Sequence, residues 1–225
     1  IEECFDTSIK LMKKYKIKKL INGPVSKKNF LKRKFPGITE YIGKKTHSKD
    51  QVMLIYNEKI SVSPLTTHIP IKNVSKVVKK NKIIKNLIKI DTFFKSRLGK
   101  TPYIAVLGLN PHCESTDKVG EEQKEIIPAI NFVIKKNLKV DGPISADTFF
   151  LDKNIKKYDV VLGMYHDQVL TPIKTLFKFE AINITLGLPF IKVTPDHGPN
   201  IEMIGQNKSD PTSIFYAFNF LNKLK

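Results

Sequence analysis

The stretch TPYIAVLGLNPH, residues 101–112, decides the fold of this chain. Its apolar run at 103–107 predicts a buried strand, and Gly108 ends that strand in a loop that carries polar residues. Apolar residues then recur at helical spacing over 121–136, which predicts a helix that Pro128 kinks. Strand, loop and helix in this order are the repeating part of a parallel α/β sheet.

The same alternation continues on both sides of this stretch. Because parallel strands with long intervening helices are covered on both faces, we predict an α/β fold with a largely parallel sheet and helices on both of its faces. The predicted helices are 7–15, 74–98 with a break near Asn81, 171–179 and 211–224, and the predicted strands are 17–22, 52–56, 60–65, 159–164, 182–186 and 190–193.

The net charge of +18 over 225 residues raises the question of nucleic-acid binding. Lysine is spread over almost every predicted helix, and Arg33 and Arg97 are the only arginines, so the charge indicates a compositional bias rather than a binding face. A nucleic-acid-binding module is kept as an alternative, which steeply salt-dependent affinity would support. Apolar runs are too short to cross a membrane, and the two cysteines fit a reducing, cytoplasmic compartment.

Three of the five histidines follow predicted strands. His68, His112 and His166 each come just after a strand, at the carboxyl end where open α/β sheets bind ligands. Three neutral imidazoles there suit a divalent ion such as Zn²⁺ or Co²⁺. Their spacing is long and irregular, so structural histidines held by hydrogen bonds are the alternative that spacing leaves open. The sequence contains neither a GxGxxG fingerprint nor a Walker loop.

Two carboxylates accompany these histidines. Asp167 follows His166 directly, and either it or Asp147 could orient a ligand histidine or accept a proton through water, as a catalytic group. Asp147 could instead cap the helix that follows it. His47 reads as a surface residue, and Cys113, adjacent to His112, reads as a packing residue.

Several segments together resemble one enzyme family, the 4-hydroxythreonine-4-phosphate dehydrogenases of pyridoxine biosynthesis. The resemblance extends over essentially the whole chain, and the segments occur in the family's order. They are GPVSK at 23–27, NPH at 110–112, GPISADT at 142–148, YHDQ at 165–168 and NITLGLPFI at 183–191.

The resemblance implies an activity and a set of site residues. The implied reaction is oxidation of 4-phosphooxy-L-threonine by NAD or NADP, followed by decarboxylation to 3-amino-2-oxopropyl phosphate. One divalent metal ion (Zn, Co or Mg) is implied at His68, His112 and His166. The implied substrate contacts are Thr39, Lys174, Asn183 and Lys192, and the implied nucleotide contacts are His197 and Gly198.

Two departures bear on the substrate. Ile38 stands where the family has a histidine, and Lys192 stands where it has an arginine, which keeps the charge but loses bidentate geometry. The alternative they leave open is a related dehydrogenase acting on threonate phosphate or erythronate phosphate.

The resemblance also implies an architecture like that of isocitrate and isopropylmalate dehydrogenases. Residues 1–33 and 206–225 would be the remainder of a first α/β domain, and 34–205 a second α/β domain with the metal ligands. The missing start predicts an N-terminally truncated chain, and an inactive metal-binding remnant is a further alternative. The expected assembly is a homodimer with a shared active site.

Overall fold

A computed structural model describes residues 1–26, 30, 35, 37–115, 119–199 and 201–224 of the chain. Lys27 of the GPVSK segment and the expected domain boundary at 33/34 lie outside these residues. The described chain divides into two compact units, Ile1–Gln51 with Phe179–Lys225 and Val52–Lys178. Each unit is an α/β structure, and most of the strand pairs are parallel, so the predicted fold class is confirmed.

The strands of the 52–178 unit are β2 Val52–Tyr56, β3 Ser61–Pro64, β4 Tyr103–Leu107, β5 Lys139–Ile144 and β6 Val160–Gly163. They form a sheet in the order β2-β3-β6-β4-β5. Strand β3 pairs in parallel with β6, β6 with β4 and β4 with β5, and only β2 is antiparallel to its neighbour β3. Strands β4 and β6 are almost wholly buried, as their continuous apolar runs require.

Helices connect these strands and supply the apolar surface that covers them. The π-helical turn Glu122–Ile126 leads into α5, and Pro128 lies in the first turn of α5, directly after that π-helical turn. The helices of this unit are numbered from α3, because α1 and α2 belong to the other unit. They are α3 Val74–Val77, α4 Lys80–Phe93 with the π-helical turn Phe94–Leu98, α5 Ile127–Ile134, α6 Ala146–Phe149, α7 Asp152–Lys157 and α8 His166–Phe177.

Three predictions for this unit were wrong in detail. The helical break lies at Val78 and Lys79 rather than at Asn81, since Glu125 accepts the first N–H of α4 from Lys80 at 2.7 Å. Helix α8 starts at residue 166 instead of 171, directly after β6. The sequence did not predict strand β5, because Gly142 and Pro143 interrupt its apolar pattern. The strand can contain these residues because it is the edge strand of this sheet and has a bulge where it pairs with β4.

The other unit has three strands in the order β1-β8-β7. Strand β8 is parallel to β1 and antiparallel to β7. Its core is an aromatic and aliphatic cluster centred on Phe5, Tyr41 and Ile42, against which Ile38 packs. The elements are α1 Glu2–Lys14, β1 Lys19–Ile21, α2 Ile38–Lys45, β7 Ile182–Leu186, β8 Ile191–Pro195 and α9 Thr212–Lys223.

The division into units differs from the expected bounds at 34 and 205. Residues 37–51 and 179–205 belong with both chain ends, because β8 pairs with β1 along Lys19 to Ile21 and α9 packs on β7 and β8. The 52–178 unit alone carries the three histidines. Among the described helices, none combines the length and the apolar character needed to cross a bilayer.

Candidate active site

The three histidines lie at one edge of the sheet of the 52–178 unit. Strands β3, β6 and β4 are parallel neighbours, so their carboxyl ends meet at the same edge. His68 follows β3, His166 is the first residue of α8 after β6, and His112 lies in a 3-10 turn after β4. This is the arrangement that the sequence predicts for residues that come after parallel strands.

His68 and His166 face each other at this edge. Their ring centroids are 6.0 Å apart and their planes are inclined by 40°. Both rings line a cavity of about 220 Å³, together with Thr67 and Tyr165. The Thr66 hydroxyl, which donates to the carbonyl of Met164 at 2.8 Å, ties the loop that carries His68 to the end of β6.

His112 lines a neighbouring, larger cavity of about 620 Å³. Tyr165 and Asp167 line both cavities, so the two open onto the same part of the sheet edge. The His112 side chain is 73% exposed, and its Nδ1 lies 3.9 Å from Oδ2 of Asp147. His112 and Cys113 both have left-handed backbone conformations, with φ of 54° and 61°, which non-glycine residues rarely adopt.

The residues fit a metal ion in part. Two imidazoles bound to one tetrahedral ion have ring centroids about 5 Å apart, close to the separation of His68 and His166. Within the described ranges, however, no three His, Cys, Asp or Glu side chains converge as a metal-binding group. His112 is therefore near the histidine pair but does not complete a ligand set with it.

Asp167 and Asp147 each lie beside one histidine. Asp167 Oδ1 is 2.6 Å from Nδ1 of His166, a hydrogen-bond distance that fixes the orientation of the ring. Asp147 is the second residue of α6, whose N-cap position is occupied by Ser145. The alternative in which Asp147 only caps that helix is therefore wrong.

The sequence did not identify two residues that hold this edge together. Glu122 is fully buried, and its Oε1 accepts the backbone N–H groups of Leu109 and Asn110 at 2.8 and 2.9 Å. Gln168 accepts the N–H of Met164 at 2.6 Å and donates to the carbonyl of Gly108 at 2.8 Å. Glu122 lies in the acidic run 121–125, and no signal in the sequence distinguishes it from its neighbours.

Burial by itself raises the pKa of Glu122, but the hydrogen bonds from Asn110 and Leu109 outweigh that effect and lower it below the ordinary value. Glu122 is therefore ionised near neutral pH and accepts all of these bonds as a carboxylate. Burial raises the pKa of the Cys113 thiol, which lies 4.0 Å from the Ser145 hydroxyl. A half-buried thiol of this kind fits the packing role expected for Cys113.

The expected substrate residues divide between the two units. Lys174 is an exposed residue of α8 in the 52–178 unit. Thr39, Asn183 and Lys192 belong to the other unit, where the Thr39 hydroxyl lies 3.3 Å from that of Thr185. Asn183 is the second residue of β7 and pairs with Thr194, so it lies within a strand rather than in a turn.

Lys192 is buried in the middle of β8, with 2% of its surface exposed. Burial lowers the pKa of Lys192 to about 8, and the carboxylate of Glu40 opposes this effect. A buried amine in this condition is typical of a site that receives an anionic ligand.

Known proteins resemble this chain over almost its whole length. Residues 1–221 match the family described as pyridoxal phosphate biosynthetic protein PdxA. The chain belongs to the PdxA family. It is 38% identical over 224 residues to the 4-hydroxythreonine-4-phosphate dehydrogenase of a Sulfurihydrogenibium species, and 42% identical over 191 residues to that of Aquifex aeolicus. These alignments cover 98% and 84% of this chain.

A solved PdxA-family structure agrees with this assignment. The 4-hydroxythreonine-4-phosphate dehydrogenase from Klebsiella pneumoniae superposes with a TM-score of 0.82 at 31% identity, over 97% of this chain and 69% of that one. The chain spans 69% of the length of the Sulfurihydrogenibium relative and 59% of that of the Aquifex relative.

Ile38 has an apolar role in this PdxA-family chain. It is the first residue of α2 and packs against the cluster of Phe5, Tyr41 and Ile42. Thr39 and Glu40, which follow it, are the polar side chains at the start of α2.

The expected nucleotide contacts lie after β8. His197 is exposed, with its Nδ1 3.0 Å from the carbonyl of Gly198 and its ring edge-on to Phe179 at 5.9 Å. A side chain at Gly198 would meet no atom within 4 Å among the described residues, so this loop has an open surface. His47 is exposed at the end of α2, as predicted.

Proposed function

We propose that this chain carries the dehydrogenase site of its PdxA-family relatives. The proposed reaction is oxidation of the secondary alcohol of 4-phosphooxy-L-threonine by NAD or NADP, after which the 3-keto acid loses CO₂ to give 3-amino-2-oxopropyl phosphate. The observation that carries this proposal is the facing pair His68 and His166, with Asp167 hydrogen-bonded to His166, at the edge of the sheet where His112 lines the neighbouring cavity.

His68, His166 and His112 would hold one divalent metal ion, zinc, cobalt or magnesium. When bound, such an ion supplies Lewis acidity that lowers the pKa of the substrate alcohol and polarises the ketone formed from it. The pairing of His166 with Asp167 supports this assignment, because a carboxylate on one ring nitrogen directs the other nitrogen toward a ligand.

The carboxylates accept the proton that the oxidation releases. The alcohol carbon gives a hydride to the nicotinamide, and the hydroxyl proton passes through water to Asp167 or Asp147, which line the same cavity as His112. Both carboxylates are more than half exposed, so water can reach them.

Positive side chains account for binding of the substrate's anionic groups. Lys174 and Lys192 would neutralise the phosphate and carboxylate, and Thr39 and Asn183 would supply hydrogen bonds. Lys192 gives the stronger support, because its side chain is buried and burial lowers its pKa to about 8. The nicotinamide nucleotide would contact the loop with His197 and Gly198.

The proposed assembly is a homodimer, and the proposed location is the cytoplasm. A homodimer with a shared active site would bring residues of a second copy to this edge, and the reducing environment that suits Cys4 and Cys113 is that of the cytoplasm.

A second candidate function keeps the site and changes the substrate. Ile38 packs in the apolar cluster and offers no polar contact, so a related reaction on threonate phosphate or erythronate phosphate is the alternative that this position leaves open.

The test measures reduced nicotinamide formed by the purified chain with each substrate, with and without added zinc, cobalt or magnesium. We expect turnover of 4-phosphooxy-L-threonine that a chelator removes and metal restores. Turnover of the hydroxy acids alone would support the second candidate. Binding of metal without turnover of any of these substrates would contradict both.

A further inference from the structure

One oxygen of the Glu40 carboxylate is an acceptor that no described residue satisfies. This oxygen, Oε2, is buried and has no hydrogen-bond partner in the described part of the chain. Glu40 directly follows Thr39, whose hydroxyl lies 3.3 Å from that of Thr185 on β7. The start of α2 therefore approaches the sheet at Thr185, and Thr185 pairs with Lys192 in the neighbouring strand.

Asn183 presents a second acceptor on the same face of this sheet. Antiparallel pairing sets Thr185 opposite Lys192 and Asn183 opposite Thr194, so all four side chains share one face. Oδ1 of Asn183 is also buried without a partner among the described residues. Asn183 and Lys192 are diagonal neighbours, about 7–8 Å apart at their Cα atoms, a distance that a small ligand can span.

The charges of this face are complementary to a zwitterion. Lys192 offers a buried cation, and Glu40 is the one carboxylate among the described residues that acts on it electrostatically. Glu40 and Asn183 also offer acceptor oxygens that lack donors. A ligand that pairs with Lys192, Glu40 and Asn183 must carry an anionic group for the lysine and a group with several N–H donors for the two acceptor oxygens. An α-amino acid has both groups. A 2-hydroxy acid has one O–H donor in place of the ammonium and no positive charge.

We propose that Glu40 is a specificity-determining residue, which receives the α-ammonium group of the substrate together with Asn183 while Lys192 binds an anionic group of the same molecule. This inference rests on the proposed function, since it chooses the amino acid over the hydroxy acids at that site. The apolar packing of Ile38 leaves Glu40 as the ionisable side chain at the start of α2 that can make this distinction.

The test compares two ligands that differ at one position. Calorimetric titration of the 225-residue chain would use 4-phosphooxy-L-threonine and 4-phosphothreonate, in which a hydroxyl replaces the ammonium. We expect the wild-type chain to prefer the amino acid. Glu40→Gln should weaken binding of the amino acid by roughly tenfold to a hundredfold, the effect of losing a hydrogen bond between charged groups, and change binding of the hydroxy acid by less than about threefold.

Two further variants serve as controls for the effect of Glu40→Gln. Glu40→Asp keeps the charge near Lys192 but retracts the oxygen, so it should retain more of the preference than Glu40→Gln. Glu3→Gln removes an exposed carboxylate of α1 and should leave both affinities unchanged. Thermal unfolding of each variant would verify that it is folded.

Equal weakening of both ligands by Glu40→Gln would overturn the inference, since Glu40 would then act through Lys192 alone. A wild-type chain that binds both ligands equally would overturn it as well, while leaving the proposed site intact. Failure of the wild-type chain to bind either ligand would remove the proposed function and this inference together.

Discussion

Glu122 and Asn110 are joined twice across the edge that carries the histidines. Oε1 of Glu122 accepts the backbone N–H of Asn110 at 2.9 Å, and Oε2 accepts the Nδ2 amide of Asn110 at 2.9 Å. Because the carboxylate is fully buried, both bonds are shielded from water. The turn that contains His112 is thus held by a carboxylate twelve residues further along the chain.

Glu122→Gln should destabilise the chain by about 1–3 kcal/mol, because the new amide would point a donor at the Asn110 amide. Urea unfolding measures the change, with Glu114→Gln, at an exposed position of the same loop, as the control. The hydrogen bonds lower the folded pKa of Glu122 in spite of its burial, so its stabilisation is present above the ordinary glutamate pKa and is lost as pH falls through the folded value. Equal unfolding midpoints for the two variants would contradict the assigned role of Glu122.

Lys192→Met should stabilise the folded chain at neutral pH by about 1–3 kcal/mol while weakening anion binding, because it removes a charge whose burial is unfavourable. Lys19→Met should destabilise it instead, since that ammonium donates to the carbonyls of Leu221 and Leu224 at 2.7 and 2.6 Å. Denaturant unfolding separates the two effects. Destabilisation by Lys192→Met would indicate that the ammonium is well solvated in the folded state.

The same lysine predicts a pH dependence of stability. The pKa of Lys192 is about 8 in the folded chain and 10.5 for an ordinary lysine, so the unfolded chain holds more protons between these values. The free energy of unfolding attributable to this group should therefore rise with pH from about 8 to 10.5. Comparing unfolding curves of the wild-type chain and Lys192→Met across this range isolates the contribution, and parallel pH profiles would contradict it.

Alanine at His68, His112 or His166 should lower cobalt affinity at least tenfold, if each imidazole supplies a ligand as proposed. His47→Ala, which removes an exposed histidine of the other unit, is the matched control. Metal content after dialysis and the cobalt absorption spectrum give readouts that do not depend on turnover. Loss of metal in the His68 and His166 variants alone would exclude His112 as a ligand.

Asp167→Asn should lower metal affinity about tenfold to a hundredfold, because the carboxylate 2.6 Å from Nδ1 orients the His166 ring. Asp147→Asn should have a smaller effect, since its Oδ2 is 3.9 Å from His112, beyond hydrogen-bond distance. Titration with cobalt measures both. A larger loss for Asp147→Asn would reverse the assigned roles.

The fold class, and the sheet edge at which the candidate site lies, followed from the sequence alone. Apolar runs such as 103–107 and 159–164 specify buried strands, and parallel strands have their carboxyl ends at one edge, so His112 and His166 were predicted to meet there. The sequence predicted neither strand β5 nor helix α2. Gly142 and Pro143 interrupt the apolar pattern of β5, and α2 has only eight residues.

The burial of particular polar groups, and the hydrogen-bond partners that they have, became known only from the tertiary structure. Glu122 and Glu121 look alike in the sequence, but the packing of one chain segment on another buries the Glu122 carboxylate beneath the Asn110 turn. The resemblance singled out Lys192, but its burial became evident only from the pairing of β8 with β1 and β7. Burial and hydrogen bonding depend on residues far apart in the chain, and a local sequence pattern does not contain that information.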